Sequence, residues 1–402
     1  MTSWLKVVGI GDDGWKGLPE NHQRIVLAAD VIVSGKRHAE FLPETINKEL
    51  IFWRSPLSDT IDEITKHRDK IVVVLASGDP LDFGVATTLL RHFDADEVSV
   101  FPSPSSLSLA CARMGWSRQE ADCLSLHGRP SELLNAYIYP GAKLLVLSHN
   151  GETPNHVSDL LVGNGYGRST VTVLSHLNGE REFETVSTAE NWQGESFADL
   201  NLIALDCQTS DNPVVLGRTP GLPDEAFISD GQLTKRTIRV ATLAKLRPIP
   251  GQLLWDVGAG SGSIAIEWMR HHPRCRAVAI EKHQKRLGYL AENIASLGTP
   301  GLKVVEGSAP DALGGLEAPD AVFVGGGIRN KTIVDACFNA LKVGGRLVAN
   351  AVTLEAEAVL LKYFEEKGGS LERIAVSAAD PVGGLHGWRP SMPVTQYHLI
   401  KE

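Results

Sequence analysis

Three glycines at alternate positions, in Trp255-Asp256-Val-Gly258-Ala-Gly260-Ser-Gly262-Ser263, constrain this chain more than any other feature. They follow the apolar run Leu253–Val257 and precede a stretch of helical apolar spacing over 263–269. Glycine turns out of a strand without a Cβ clash. Gly258 suits the tight turn and Gly260 lets backbone approach a ligand, while the following helix offers unpaired N–H groups at its start. The spacing also separates ligand classes. A dinucleotide fingerprint places glycines first, third and sixth, whereas here Gly262 is fifth and Ser263 sixth. An NAD-dependent oxidoreductase fails on that spacing.

This strand–turn–helix unit opens a regular series. An apolar run at 276–280 ends at Glu281 and leads into a helical pattern over 284–297. Runs at 302–305, Ala321–Val324 and Arg346–Ala351 continue the alternation, and Val394–Ile400 closes it. Helices between successive strands imply right-handed crossovers and a mainly parallel sheet that binds ligands at its carboxyl ends.

Residues 1–207 carry a second α/β pattern. Leu5–Ile10 runs into Gly9-Ile-Gly11-Asp12-Asp13-Gly14, and 71–76 into Ser77-Gly78-Asp79-Pro80. Val98–Phe101 runs into Pro102-Ser-Pro104-Ser105-Ser106, with a helical pattern over 107–114 and later strands at 144–148, 170–174 and 200–206. Residues 208–224 are rich in Pro and Gly and lose periodicity, so they read as a linker between domains at 1–207 and 225–402.

Across the 402 residues, 39 Lys and Arg stand against 48 Asp and Glu, a net charge of −9. That sign works against counterion displacement from nucleic acid, and so against an RNA methyltransferase. Cys111, Cys123, Cys207, Cys275 and Cys337 form no CxxC pair, which predicts reduced, buried thiols and no metal site. No apolar run reaches the ~20 residues that span a bilayer, and the start lacks a signal-peptide pattern. A cytoplasmic protein without membrane partners is expected.

Asp256 ahead of alternating glycines resembles motif I of the class I S-adenosylmethionine-dependent methyltransferases. Glu281 stands where that family's ribose-binding acid belongs, and Gly307-Ser-Ala309-Pro-Asp-Ala-Leu313 where it covers adenine. More narrowly, Gly221-Leu-Pro-Asp-Glu-Ala-Phe227, Leu233-Thr234-Lys235-Arg236 and Asn350-Ala-Val-Thr-Leu-Glu355 are similar to the decarboxylating precorrin methyltransferases. In the first half, Val7-Val-Gly9-Ile-Gly11, Ser77-Gly-Asp-Pro80 and Pro102-Ser-Pro-Ser-Ser106 resemble the tetrapyrrole methylases.

The resemblance implies a tetrapyrrole methylase fold of two α/β subdomains, followed by a Rossmann-like class I domain with a seven-stranded, mainly parallel sheet. It implies one S-adenosylmethionine site per domain. In the second half the matching positions are Thr234, Asp256, Gly258, Ala259, Gly260, Ser261, Gly262, Glu281 and Ala309. In the first they are Gly78, Asp79, Pro80, Ser105 and Ser106, with Gly9 and Gly11 near the entrance; Asp12-Asp13 departs from the family pattern. The implied reaction methylates carbons 5 and 15 of precorrin-6B and decarboxylates the ring C acetate to give precorrin-8X. Carbon 15 and the decarboxylation fall to the second half and carbon 5 to the first. The cobalt-bearing substrate is the alternative, and a homo-oligomer is expected.

A methyl donor already activated as a sulfonium and a nucleophilic meso carbon need alignment more than covalent catalysis. A polycarboxylate substrate and a net-acidic protein require basic groups gathered locally. Candidates are Lys235, Arg236, Arg239, Lys245 and Arg247, Arg329 and Lys331 after Gly325-Gly-Gly327, and His386 with Arg389 in the Gly/Trp-rich loop 384–390. His127 and Arg129 are first-half candidates. A solvated surface is the plain alternative for each.

Overall fold

Runs of Val, Ile and Leu that end in glycine or serine build the first sheet: β1 (Leu5–Ile10), β2 (Val31–Ser34), β3 (Glu49–Phe52), β4 (Val72–Ser77) and β5 (Val98–Phe101). The computed structural model describes residues 3–194, 196–210 and 212–402; Asp211, within the expected linker, and Met1, Thr2 and Glu195 lie outside them. All pairings in this sheet are parallel, in the order β3-β2-β4-β1-β5. Its central strands are buried on both faces, which explains their unbroken apolar sequence. Val7, Val33, Val72 and Val74 face one core cluster, while Val8, Ile10, Ile32, Val73 and Leu75 face the other.

A second sheet follows, from β6 (Ala121–Ser125), β7 (Lys143–Leu147), β8 (Thr170–Ser175), β9 (Phe183–Thr188) and β10 (Asn201–Asp206), in the order β6-β7-β10-β8-β9. Only the β6–β7 pairing in it is parallel. Short β2 and β3, and polar β6 and β9, carry too little apolar periodicity to be read from sequence.

The chain divides into two units, one of residues up to Ser131 with Pro140–Val214, the other of Glu132–Tyr139 with Val215–Glu402. The boundary at Val214 falls inside the Pro/Gly-rich stretch. Segment Glu132–Tyr139 nevertheless packs within the second unit. Asn135 Nδ2 donates to the Ala295 carbonyl at 3.1 Å, and the Arg218 guanidinium lies 4.7 Å from the Tyr137 ring centre.

In the second unit the strands are β11 (Leu253–Val257), β12 (Arg276–Glu281), β13 (Lys303–Glu306), β14 (Ala321–Val324), β15 (Arg346–Ala351), β16 (Ser370–Ile374), β17 (Ser377–Val382), β18 (Leu385–Pro390) and β19 (Val394–Ile400). Seven of them form one sheet in the order β13-β12-β11-β14-β15-β19-β16. The run from β13 to β15 is parallel, and β19 is antiparallel to both its neighbours. Both faces are covered. Trp255, Val257 and Ile280 pack on one side, Leu254, Ala279 and Phe323 on the other. The remaining two strands, β17 and β18, pair as a hairpin turning at Gly383, whose φ is +60°. Of the stretch 384–390, expected as a loop, Leu385–Pro390 is therefore a strand. Its partner supplies the ladder, and its exposed faces leave no apolar alternation to reveal it.

Candidate active site

The glycine loop leaves the carboxyl end of β11 as the spacing requires. Gly258, Gly260 and Gly262 all have positive φ, at +74°, +59° and +83°. A Cβ on Gly258 would lie 2.9 Å from the Gly326 backbone, so this glycine lets the loops after β11 and β14 touch. At Gly260 a Cβ would meet nothing nearer than the Gln232 carbonyl oxygen at 3.7 Å, which leaves that backbone open. Gly262 occupies the N-cap of the helix Ser263–His271.

Two buried acids fix the loop. Asp256 Oδ2 accepts the Ala265 amide at 3.0 Å, tying the strand end to the first turn of that helix. Burial pushes the Asp256 carboxyl up to about 7, and neighbouring Glu281 adds to the rise. Glu281, at the end of β12, accepts Gly260 N–H on Oε2 at 2.8 Å, and the Lys282 and His283 amides on Oε1 at 2.8 and 2.9 Å. Its Oε2 thus accepts a single amide and keeps a lone pair for a ligand hydroxyl.

A cavity of about 830 Å³ opens beside this loop, within the usual range for small-molecule sites. Thr234, Gly258, Ala259, Gly260 and Ser261 line it. Opposite them stand the apolar side chains of Ile374, Val376, Met392 and Val394, at the roots of the β17–β18 hairpin, and Lys235 and Arg236 complete the wall. Gly262, Asp256, Glu281 and Ala309 lie behind the lining. Ala309 is a core residue, and its loop is anchored where Gly307 N–H donates to the Glu281 carbonyl at 3.0 Å.

These residues fit an adenosyl cofactor. The backbone at Gly260 is bare, and Asp256 Oδ1 and Ser261 Oγ are buried polar atoms without a protein partner. Such atoms ordinarily find one.

The basic candidates separate sharply. Arg239 is fully buried: it donates to Glu267 at 2.6 Å, to Asp224 at 3.0 Å and to the carbonyls of Thr234 and Leu222. It therefore holds the segment leading to the cavity and faces no substrate. Lys245 pairs with Glu372, and Arg247 caps its helix. Lys331 pairs with Asp335 at 3.1 Å and Glu366 at 3.5 Å. Arg329 is exposed. His386 and Arg389 stand on the exposed hairpin, where Arg389 pairs with Asp380 at 3.0 Å. None of these seven lines the cavity. Lys235 and Arg236, by contrast, do line it and are both exposed to solvent.

In the first unit, the loops after β1, β4 and β5 converge. Ser103 Oγ donates to the Gly9 carbonyl at 2.8 Å, and Gly78 N–H donates to the Ile10 carbonyl at 3.0 Å. A Cβ on Gly9 would sit 1.9 Å from the Gly78 oxygen, so this glycine serves the packing of one loop on another. Ser105 is the N-cap of the helix Ser106–Met114, and Asp79 Oδ1 accepts the Leu81 amide within its own turn before Pro80 has passed the chain on. His127 and Arg129 are exposed, the former beside His149. Sequence reasoning missed Arg37, His38 and His176, which gather around Asp12 and Ser77 from distant parts of the chain.

Residues 225–401 match the family described as "Precorrin methyltransferase domain", and residues 5–190 match "Tetrapyrrole (Corrin/Porphyrin) Methylases". A relative from Sinorhizobium sp., named precorrin-6Y C(5,15)-methyltransferase [decarboxylating], is 45% identical over 401 residues, covering 100% of this chain and 97% of its own. The chain belongs to the precorrin-6Y C(5,15)-methyltransferase (decarboxylating) family. A second relative of that name, from Mycobacterium tuberculosis, is 41% identical over 98% of this chain and 99% of its own. A cobalt-precorrin-6B C(15)-methyltransferase (decarboxylating) from Salmonella typhimurium is 31% identical over 187 residues, 45% of this chain and 96% of its own. Membership gives the chain S-adenosylmethionine-dependent methyl transfer and fits a small precorrin substrate. Among the described residues, no helix is long and apolar enough to cross a membrane, and no group of three or more His, Cys, Asp or Glu is arranged to hold a metal ion.

Proposed function

We propose that this chain methylates carbons 5 and 15 of metal-free precorrin-6B and decarboxylates the ring C acetate, giving precorrin-8X. The second unit acts at carbon 15 and releases carbon dioxide, the first acts at carbon 5, and each unit holds one cofactor. The observation that carries this reading is the second unit's cavity, where the glycine loop faces an apolar wall, Lys235 and Arg236, and an Arg286 already paired with Asp230. The Salmonella relative supports joining carbon 15 methylation and decarboxylation in one half, since a protein matched by less than half of this chain bears both in its name. The full-length relatives, named for the cobalt-free precorrin, support the metal-free substrate.

Bound in the second unit, S-adenosylmethionine supplies an activated methyl group. Gly258 through Ser261 would present backbone to it, Glu281, just behind that loop, would offer Oε2 to its ribose, and Asp256 keeps the helix start in place. Ile374, Val376, Met392 and Val394 cover the ring and exclude water, while Lys235 and Arg236 hold its carboxylates. Alignment in a dry site is worth roughly 7–11 kcal/mol in well-oriented cases. An apolar wall against the scissile acetate favours breaking its C–C bond: neutral carbon dioxide leaves, the electron pair passes into the ring's conjugation, and a proton then completes the methyl group.

The test is incubation of the full chain with precorrin-6B and S-adenosylmethionine, followed by mass spectrometry. The expected product has gained two methyl groups and lost one carbon dioxide; an unchanged tetrapyrrole rejects the proposal.

A further inference from the structure

The first unit holds a charged cluster that neither the cofactor loops nor the core explains. Asp12, just past the end of β1, has a nearly buried side chain, 9% exposed. Its Oδ1 accepts from Arg37 Nη1 at 3.1 Å, and its Oδ2 accepts from His176 Nδ1 at 2.9 Å. Arg37 also donates to Ser77 Oγ at 2.9 Å, one residue before Gly78. A continuous chain of polar contacts therefore runs from the loop after β4, through Arg37 and Asp12, to a histidine immediately after β8. Asp12 and Ser77 sit at the carboxyl ends of β1 and β4, the end at which parallel α/β sheets meet ligands, and His176 follows β8 of the second sheet.

The turn that carries His176 is shaped around this contact. His176 and Asn178 both adopt left-handed backbone, with φ of +49° and +64°. Such conformations are disfavoured in non-glycine residues and concentrate at functional sites. Asn178 Nδ2 is bound to Asp13 Oδ2 at 2.8 Å, and a Cβ on Gly179 would stand 2.5 Å from Asp12 Oδ2. Three consecutive details thus press this turn against Asp12-Asp13. His38, the other histidine of the cluster, is held down to about 4 by burial and by Arg37, so its imidazolium is disfavoured and it is the weaker proton acceptor of the two.

We propose that His176 is the proton acceptor of the first unit and that Asp12 is its positioning residue, an inference that rests on the assignment of carbon 5 to this unit. A carboxylate accepting from Nδ1–H fixes the tautomer that leaves the Nε2 lone pair free, and it steadies the ring's orientation. Once carbon 5 bears its new methyl group, the same carbon still carries hydrogen and the ring one positive charge. His176 Nε2 takes that proton. The C–H electron pair returns to the ring's conjugation, and the imidazolium that forms lies beside the Asp12 carboxylate. Arg37 holds that carboxylate in place, and Ser77 ties the arrangement to the loop after β4.

The full chain tests this with three variants. Asn tolerates left-handed backbone and places its amide where Nδ1 was, so His176→Asn retains the turn while removing Nε2. It is expected to lower kcat for carbon 5 methylation by about 10²–10⁴-fold with KM for the tetrapyrrole unchanged. His176→Gly also accepts the backbone, leaves a space of imidazole size, and is expected to recover part of its rate in added imidazole. Independently of turnover, ¹⁵N NMR of histidine-labelled protein should show one ring fixed with its proton on Nδ1, lost in His176→Asn and no longer fixed in Asp12→Asn. A His176→Asn kcat within about threefold of wild type overturns the proposal, as does a loss confined to KM, an absent imidazole response, or a His176 ring without the Nδ1 proton. A wild-type chain that leaves carbon 5 unmethylated would instead reject the functional reading, whatever the variants do.

Discussion

At the scale of single residues, Asp256 is the most demanding position. Its carboxyl is buried against Glu281 and pushed up to about 7, far above the ~3.9 of an unfolded chain. Between those values the folded state binds the extra proton, so stability falls as pH rises from about 4 to about 7 and levels off above. The slope reaches at most about 1.4 kcal/mol per pH unit. Asp256→Asn keeps an oxygen for the Ala265 amide and has no charge to bury. Denaturant titrations at pH 5 and pH 8 should show the variant losing less stability than wild type over that interval. Gly258 is demanding for a different reason. Its φ of +74° and the Gly326 backbone 2.9 Å from a would-be Cβ leave alanine no room. Gly258→Ala is expected to cost about 1–3 kcal/mol and to weaken S-adenosylmethionine binding, read by melting and by calorimetry. Cys207 and Cys337 are buried thiols pushed up to about 12, and Cys111 and Cys275 are buried too, whereas Cys123, expected to be buried, is half-exposed.

At the scale of elements, the helix Arg236–Leu246 turns one face to the cavity and the other to a buried ion pair. Arg239 meets Glu267, whose carboxylate also accepts the Gly221 and Leu222 amides. Arg239→Ala strands that carboxylate in the core and is expected to cost about 3–5 kcal/mol of the second unit's stability by denaturant titration. The basic run 231–251 could be read as one surface, yet helical spacing sends Arg239 inward and leaves Lys235 and Arg236 at the cavity wall. Burial, which a linear charge count does not contain, made that division. The hairpin gives the same lesson in reverse. Its polar exposed strands place His386 and Arg389 on an arm, while its apolar roots Val376, Met392 and Val394 line the cavity.

At the scale of the whole molecule, a net charge of −9 must coexist with a polycarboxylate substrate. On the proposed function, Lys235 and Arg236, which line the cavity, are the groups that resolve that conflict locally. Lys235→Ala with Arg236→Ala is expected to raise KM for the tetrapyrrole about tenfold, equivalent to about 1.4 kcal/mol, and to flatten its dependence on salt, with cofactor affinity little changed. The order of two α/β halves, the parallel sheet of the second and its glycine loop were legible because they rest on local rules: apolar periodicity, and positive φ that glycine accepts. The positions of Gly260 after β11 and of Glu281 at the end of β12 were legible for the same reason, since each is set by its own strand. The capture of Glu132–Tyr139 by the second unit, the fate of each arginine, and the meeting of Asp12 with His176 were not. Those depend on which distant surfaces come into contact, and a contact between residues 12 and 176 leaves no period or spacing along the chain. Sequence alone determined the architecture and the class of chemistry, because strand endings and glycines encode them locally. Only the tertiary structure decided which charged groups are buried, paired or free to act, because desolvation and partnership exist only once the chain has closed on itself.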